Sequence, residues 1–406
     1  MKRVSLIVCV LVCVFALVFQ VSLAGAEDKK PVKIVGAMPL SGIIGSIPET
    51  AWGVIDAADY INKTGGIGGR PMVAIMEDGR YDVPATLGIY NKYMTTEPAD
   101  EYLFYCQYNT PSLKALQEKV NKEDKIPVLA GSGSAIIFDE NVKKNSPYFF
   151  STLAGYGEMW AAVLKYVKVN HKKKTPPRCA FHYYDNSTGR DPMAYLDRYA
   201  KKFGVDIVMK EPFSPTAQTF APAFLKFRKN KIEYVLFWCW SYKIGAKYYA
   251  EFKKYLPKLS TYGVHWTVSN MLFHVAKDAY DGQYGAEPYP IETETDNKFV
   301  QTVIAGAKEK NRDVKAWQFY MQSWTMGLIA GGAARQVLAE GKPLTRENCR
   351  DAMENIKNFD MLGMFGGKYL DFRNHKYSQL RIVRSDWSKK TLVPVTDWFN
   401  VYDYLK

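Results

Sequence analysis

The chain has 406 residues, with 54 Lys and Arg against 41 Asp and Glu and a formal net charge of +13. This length exceeds the size at which a single hydrophobic core stops growing, so we expect two domains. The basic residues are dispersed over helix-like segments, and only His171 to Lys174 form a run, which argues for solvated faces and against a nucleic-acid partner.

The N-terminus has the order of a secretory signal peptide. Lys2 and Arg3 precede an apolar run that extends to about Val21, and Ala24-Gly25-Ala26 precedes four charged residues. We therefore predict a signal peptide over residues 1–26 that is cleaved on export. The apolar run also approaches the length of a single membrane span, so an uncleaved anchor is the alternative.

Short apolar strands alternate with amphipathic helices along the rest of the chain. Residues 32–38 form an apolar run before Pro39, Pro48 can begin a helix, and Gly65-Gly66 can end it before a strand at 71–76. Further strands are predicted at 101–105, 126–130, 147–152, 178–184, 205–210 and 234–238, and further helices at 112–122, 160–170, 193–203 and 221–230. The alternation predicts an α/β fold with parallel sheets covered on both faces, in which ligands bind beyond the carboxyl ends of the strands.

Two glycine-rich segments differ in what they can bind. The segment 65–69 (Gly-Gly-Ile-Gly-Gly) follows a helix and precedes a strand, the reverse of the order that a dinucleotide loop requires. The segment 131–134 (Gly-Ser-Gly-Ser) follows a strand and precedes a helix-like segment from Ala135. Its hydroxyls and backbone N–H groups can hold an anion such as a carboxylate, and an ordinary turn with a helix cap is the alternative.

Candidate catalytic and metal-binding groups form no recognisable pattern. The five histidines show no metal-ligand spacing, and the chain has no nucleophile, base and orienting group in a known arrangement. We therefore expect no enzymatic activity, no metal and no cofactor. The cysteines beyond the signal segment contain no C-x-x-C pair, and whether any of them forms a disulfide is left open: Cys106, Cys179, Cys239 and Cys349.

Aromatic residues cluster after two predicted strands. Trp238, Trp240 and Tyr242 end or follow the strand at 234–238, and His265 and Trp266 follow the next strand. Aromatic side chains at strand ends that face a cleft form the walls of many small-molecule pockets. Trp240 is therefore predicted to line a pocket, with burial in the core as the alternative.

The opening segment 35–42 (Val-Gly-Ala-Met-Pro-Leu-Ser-Gly), followed by a helix and by Ile61-Asn62 before residues 65–69, resembles the start of the leucine/isoleucine/valine-binding proteins, which are type I periplasmic binding proteins. Weaker similarities are Lys125-Ile126-Pro127-Val128, Asp185-Asn186 and residues 365–372. The resemblance implies two Rossmann-like doubly wound lobes, a three-strand hinge and a ligand trapped between the lobes. It divides the chain into an N-terminal lobe of residues 27–151 plus 285–363 and a C-terminal lobe of residues 152–284 plus 364–406.

The resemblance also implies which residues contact the ligand. In such proteins the ligand carboxylate is held after two strands of the first lobe, and here the second-lobe aromatic positions correspond to Thr188 and Trp240. His265 replaces the acidic residue that usually binds an ammonium group, and burying an unpaired ammonium costs several kcal/mol, which disfavours a standard α-amino acid. The predicted ligand-binding residues are Ser41, Tyr108, Asn109, Thr110, Ser132, Gly133, Ser134, Thr188, Trp240 and His265.

These inferences predict an extracytoplasmic solute-binding receptor of an ABC importer that captures its ligand by hinge closure. The ligand is expected to be a small carboxylate-bearing organic solute with an aromatic or bulky apolar body. The protein is expected in the periplasm as a monomer, with the permease subunits of the transporter as partners and no nucleic acid. The alternatives are binding of a branched-chain amino acid or amide, and a ligand sensor that presents to a signalling partner.

Overall fold

The computed structural model describes residues 30–42, 44, 46–95, 101–214, 216–356, 359–368, 370, 372 and 374–406. The signal peptide predicted at residues 1–26 lies outside the described residues. Within the described ranges, no helix combines the length and the apolar character that a membrane span requires.

The first sheet contains five parallel strands in the order β2-β1-β3-β4-β5. Its strands are β1 (Val32–Met38), β2 (Met72–Asp78), β3 (Tyr102–Gln107), β4 (Val128–Ala130) and β5 (Phe149–Ser151), and the connecting helices are α1 (Glu49–Lys63), α2 (Val83–Met94), α3 (Thr110–Glu118, continued by a π-helical turn to Asp124) and α4 (Val142–Asn145). Parallel neighbours require crossover connections, which these helices provide.

The second sheet is mixed and has the order β12-β11-β10-β9-β8-β6-β7, with β13 paired to β11. Strands β10, β9, β8, β6 and β7 are parallel, whereas β11 runs antiparallel to β10. The strands are β6 (Arg178–Tyr184), β7 (Asp206–Phe213), β8 (Tyr234–Trp238), β9 (Thr261–Val264), β10 (Tyr284–Glu287), β11 (Gln379–Asp386), β12 (Thr391–Pro394) and β13 (Phe399–Asn400).

The remaining helices divide between the two sheets. Around the second sheet are α5 (Tyr156–Asn170), α6 (Ser187–Arg190), α7 (Met193–Phe203), α8 (Ala221–Lys229), α9 (Tyr242–Tyr255), α10 (Met271–Val275) and α14 (Val401–Tyr404), with 3₁₀ turns at His265–Thr267 and Lys277–Tyr280. Helices α11 (Lys298–Glu309), α12 (Trp317–Ala339) and α13 (Arg346–Glu354) return to the first sheet, where α11 and α12 pack on α1. We call each sheet with its helices a lobe, the first lobe and the second lobe.

Helices α1 and α12 approach each other closely. A Cβ atom at Gly53 would lie 2.4 Å from the carbonyl oxygen of Tyr320, so only glycine fits this crossing. Beside it the buried carboxylate of Asp56 accepts a hydrogen bond of 2.6 Å from the Tyr320 hydroxyl and pairs with the Arg312 guanidinium at 2.9 Å. These contacts fix a helix near the C-terminal end of the chain onto the first lobe.

The segments that connect the lobes are hydrogen-bonded to each other. The Ser151 N–H donates to the carbonyl of His375 (2.7 Å), and the Tyr377 N–H donates to the carbonyl of Leu153 (3.2 Å). The His375 ring stacks on Phe150 with centroids 4.3 Å apart. Two doubly wound sheets joined in this way confirm the predicted two-lobed α/β fold, while the exact lobe boundaries at residues 151, 285 and 363 stay predictions.

Candidate functional site

A narrow cavity lies between the two lobes, beyond the carboxyl ends of their strands. Side chains of both lobes form its wall. The first lobe contributes Pro39, Ile44, Ile47, Tyr81, Tyr108 and Phe319, and the second lobe contributes Tyr156, Thr188, Trp238, Trp240 and Trp266. The site is therefore complete only when the lobes face each other, as they do here.

Seven of these eleven residues are aromatic, and their rings contact one another across the cleft. Trp266 of the second lobe lies 6.1 Å from the ring of Tyr108 and 5.1 Å from the ring of Phe319, both in the first lobe. On the second-lobe side Trp238 and Trp240 pack at 5.5 Å. Among the described residues no charged side chain lines the cavity, so its wall suits an apolar or aromatic body.

A patch of hydroxyl groups adjoins the cavity at Tyr156, which is itself a lining residue. The Trp266 Nε1–H donates to the Tyr156 hydroxyl at 3.0 Å, and this hydroxyl lies 3.4 Å from Ser132 Oγ. Ser132 Oγ is in turn 2.8 Å from Thr110 Oγ1. Burial raises the pKa of Tyr156 to about 12, so its hydroxyl stays protonated at neutral pH and remains available as a donor.

The end of the predicted anion-binding segment is occupied by a carboxylate of the chain itself. Ser134 Oγ donates to Asp191 Oδ1 at 3.0 Å, and the Ala135 N–H donates to Asp191 Oδ2 at 3.1 Å. Asp191 belongs to the second lobe, so both hydrogen bonds cross the cleft. The prediction of a helix from Ala135 was wrong. The N–H groups of Ile137 and Phe138 both donate to the Ser134 carbonyl, which closes a single turn.

A second cross-cleft contact is formed by a glutamine of α12. The Asn270 N–H donates to Gln318 Oε1 at 3.2 Å, and Gln318 Nε2 donates to Asn270 Oδ1. Gln318 Oε1 also lies 3.5 Å from Ser269 Oγ. All three side chains are buried, so these bonds are shielded from water. Together with the Asp191 contacts they hold the two lobes closed on each other.

His265 lies behind the cavity wall, against the rings of Trp266 (4.8 Å) and Phe319 (5.8 Å). Its Nδ1 is 2.9 and 3.0 Å from the two carboxylate oxygens of Glu287, and both side chains are fully buried. Burial raises the pKa of Glu287, and the neighbouring histidine opposes that rise. The buried acid closest to this wall is thus already paired within the protein.

Asp78, at the end of β2, holds the loop that carries Ile44 and Ile47. Its carboxylate accepts hydrogen bonds from the N–H groups of Leu40 (3.2 Å) and Ser41 (3.1 Å) and from the Ser41 hydroxyl (2.5 Å). The pKa of Asp78 is lowered because these hydrogen bonds outweigh its burial. The predicted site residue Ser41 therefore positions the cavity lip and does not line the cavity.

Five of the other nine predicted site residues lie in the cavity wall or next to it. Tyr108, Thr188 and Trp240 line the cavity, whereas Thr110 and Ser132 lie in the hydroxyl patch behind it. Their role in ligand binding stays a prediction.

Four predicted residues have structural contacts instead of a place on the wall. Asn109 caps α3 by accepting from the Ser112 N–H (3.3 Å), and the Gly133 carbonyl accepts from the Tyr156 N–H (2.8 Å). Ser134 is bonded to Asp191 and His265 to Glu287, as described above.

Several wall residues were not predicted. Tyr81 follows Arg80, and both have a positive φ (53° and 52°), a strained conformation that no local pattern predicts. Phe319 reaches the cavity from α12, far along the chain. Ile44 and Ile47 lie in a loop, and apolar side chains in a loop are a sequence signal that could have indicated their burial at the cavity.

The cysteines of the described chain lie in its interior. Cys106, Cys179, Cys239 and Cys349 are buried free thiols, and burial raises the pKa of Cys239 to about 12. In the part of the chain that the structure describes, no group of His, Cys, Asp and Glu side chains is arranged to hold a metal ion.

Solved structures with the same fold cover nearly the whole chain. A branched-chain amino acid ABC transporter protein from Thermus thermophilus with bound valine superimposes with a TM-score of 0.80 at 19% identity, covering 93% of this chain and 98% of that one. A fatty acid ABC transporter substrate-binding protein from Thermomonospora curvata gives 0.76 at 17%, covering 91% and 92%. A solute-binding protein from Rhodopseudomonas palustris in complex with 3,4-dihydroxybenzoic acid gives 0.74 at 16%, covering 91% and 98%.

No curated protein sequence is significantly similar to this chain. The sequence model of a family described as "Periplasmic binding protein" matches residues 31–391, which spans both lobes and confirms the resemblance found in the sequence. With its two-lobed fold and interlobe cavity, the chain belongs to the periplasmic binding protein family.

Proposed function

We propose that this protein is the extracytoplasmic receptor of an ABC importer, which encloses a small organic solute between its lobes and releases it unchanged to the permease subunits. The signal-peptide pattern at residues 1–26 supports a periplasmic location. The ABC transporter proteins among the structural neighbours support the importer role. Hinge closure gives the transporter a liganded shape to recognise.

The proposed ligand has an aromatic or bulky apolar body. The observation that carries this proposal is the wall of seven aromatic rings without a charged side chain among its described residues. Offset and edge-to-face ring contacts each add about 0.5–1.5 kcal/mol beyond the burial of apolar area. A benzene ring or a branched aliphatic chain gains from such a wall, whereas a polar body would lose its hydration without compensation.

The ligand carboxylate is proposed to face the hydroxyl patch of Thr110, Ser132 and Tyr156. Hydroxyl groups can turn from their present partners and donate to a carboxylate oxygen. Ser134 is not included, because Asp191 occupies its hydroxyl in the closed receptor. A carboxylate can be bound without Arg or Lys when several neutral hydroxyl groups donate hydrogen bonds to its oxygens.

A branched-chain amino acid is the second candidate, because a neighbour of the same fold holds valine. It requires a carboxylate for the ammonium group. The acids described beside the cavity, Glu287, Asp191 and Asp78, are all hydrogen-bonded within the protein. Leaving an ammonium unpaired in the closed cleft would cost several kcal/mol, so we place this candidate second.

Isothermal titration calorimetry of the purified protein tests the proposal with benzoate and phenylacetate on one side and L-valine and L-leucine on the other. We expect the aromatic acids to bind and Trp240→Ala to weaken their affinity by roughly 10–100-fold, the equivalent of about 1.5–3 kcal/mol for a large apolar contact. The control is Trp387→Ala, since Trp387 lies away from the cavity and packs on Phe273. The control should bind like the native protein.

Strong binding of valine and leucine without binding of aromatic acids would replace the first candidate by the second. Equal losses in both tryptophan variants would show that the cavity is not where the ligand binds. Because no chemical step is proposed, bound acid extracted from the protein should be recovered unchanged.

A further inference from the structure

Asp191 joins the two lobes at the edge of the cavity. It lies between α6 and α7 of the second lobe, and its two carboxylate oxygens accept from Ser134 Oγ (3.0 Å) and from the Ala135 N–H (3.1 Å) after β4 of the first lobe. Because both bonds run from one lobe to the other, separating the lobes would break them and return the carboxyl group to water. Asp191 is therefore in two different environments in the open and the closed receptor.

We propose that Asp191 is a proton-linked clasp. It hydrogen-bonds to Ser134 and Ala135 when the lobes close, and it makes the receptor bind its solute more tightly in acidic than in neutral medium. The inference rests on the proposed function, because it treats the closed lobes as the ligand-bound state.

The charged groups around Asp191 do not neutralise it. The nearest cation in sequence, Arg190, pairs with Asp185. The Lys376 ammonium is 2.6 Å from Glu158 and donates to the Phe138 carbonyl (3.0 Å). The groups that face Asp191 from the packed elements are the Ser134 hydroxyl, the N–H groups of Ala135 and Ile136, the Glu158 carboxylate of α5 and the phenols of Tyr156 and Tyr195.

Closure changes the proton affinity of this carboxyl group. Burial raises the pKa of Asp191 to about 6, against the opposing hydrogen bonds from Ala135 and Ser134, and the like charge of Glu158 adds to the rise. A carboxyl group exposed in the open receptor keeps an ordinary pKa near 3.8. The closed state therefore binds the proton more tightly than the open state. Protonation stabilises the closed state relative to the open state below about pH 6, and this stabilisation is lost as the pH rises through that value.

The size of the effect follows from these two values. Between pH 7.5 and pH 5.5 the ratio of closed to open receptor should rise about fourfold, since protonation of Asp191 becomes favourable only in the closed state. When the open state predominates without ligand, ligand affinity should rise by the same factor, because the apparent affinity scales with the fraction of closed receptor. The clasp also explains why the ligand carboxylate must find its hydrogen bonds away from Ser134.

Single-molecule energy transfer between dyes on the two lobes tests the clasp without any ligand. Cysteines for labelling are introduced as Glu118→Cys on the first lobe and Lys229→Cys on the second, both exposed, while the native cysteines of the described chain are buried. The closed-to-open ratio is measured at pH 7.5 and pH 5.5 in the native background, in Asp191→Asn and in Asp197→Asn. Asp197 is the matched control, since it lies on α7 and pairs with Lys210 at the surface.

We expect the ratio to rise about fourfold in the native background and in Asp197→Asn, and to stay constant in Asp191→Asn, whose amide is isosteric but does not titrate in this range. The same ratio at both pH values in the native background, or the same pH dependence in Asp191→Asn, would overturn the proposal. Circular dichroism of each variant confirms that it is folded.

Calorimetry with benzoate at the same two pH values separates this inference from the proposed function. A pH-dependent closed population without benzoate or amino acid binding would leave the clasp intact and reject the proposed ligand class. Binding of benzoate that is equally tight at both pH values, with a constant closed population, would reject the clasp alone.

Discussion

Replacing His265 with Ala isolates the buried Glu287 and tests how the protein holds a charge behind its binding site. In the native protein the His265 Nδ1 is 2.9 and 3.0 Å from the carboxylate oxygens, and neither side chain is exposed. Without His265, the Glu287 carboxylate still accepts the hydrogen bond from the Tyr289 N–H (3.1 Å). The variant must therefore bury an underpaired carboxylate or protonate it.

The cost follows from these two choices. Removing one partner of a buried ion pair typically costs about 3–5 kcal/mol. Protonating a glutamate of ordinary pKa at pH 7 costs about 3–4 kcal/mol, which sets an upper limit on the electrostatic part of the loss. At pH 5.5 the same protonation costs about 2 kcal/mol, so the loss of stability should shrink as the pH falls.

Urea unfolding followed by far-ultraviolet circular dichroism measures this loss at pH 7 and pH 5.5. We expect His265→Ala to lower the free energy of unfolding of its lobe by about 3–4 kcal/mol at pH 7, and the double variant His265→Ala/Glu287→Gln to recover most of it, because a neutral amide needs no counter-charge. A loss that is equal at both pH values and persists in the double variant would refute the electrostatic reasoning and leave lost packing as the cause.

Three further expectations concern the cavity lip, helix packing and the thiols. Asp78→Ala removes the acceptor of the loop around Ser41, and we expect calorimetry to show roughly tenfold weaker benzoate binding, since hydrogen bonds to a charged group contribute about 1.5–3 kcal/mol. Gly53→Ala forces a Cβ against Tyr320 and should destabilise the protein by about 1–3 kcal/mol in thermal unfolding, whereas Gly88→Ala in the exposed face of α2 meets no atom within 4 Å and should stabilise it by about 0.5–1 kcal/mol. A thiol reagent should label Cys106, Cys179, Cys239 and Cys349 only on unfolding, and labelling of these residues in the folded protein would contradict their burial.

Local periodicity predicted the elements of this fold well. The helix predicted at 193–203 is α7 at those residues, and the strand predicted at 178–184 is β6. The helix predicted at 112–122 begins two residues earlier and ends in a π-helical turn. Apolar spacing reports which face of a segment is buried, and that information is local.

Contacts between the lobes were beyond reach of the sequence, because they depend on how the hinge closes. Ser134 and Asp191 are 57 residues apart and meet only across the cleft, so the sequence could not indicate that a side-chain carboxylate contacts Ser134. Phe319 and Gln318 arrive from α12, which the apolar pattern gave no reason to place at the cavity. Trp240 was predictable because the end of a parallel strand is near the binding edge in any fold of this class.

The return of α12 to α1 has a consequence for how the protein is made. The Tyr320 hydroxyl meets Asp56 across 264 residues of chain, and Gly53 is covered by the same helix. The amino-terminal half leaves the ribosome without its outer cover, so its folding cannot be completed until most of the polypeptide has been synthesised.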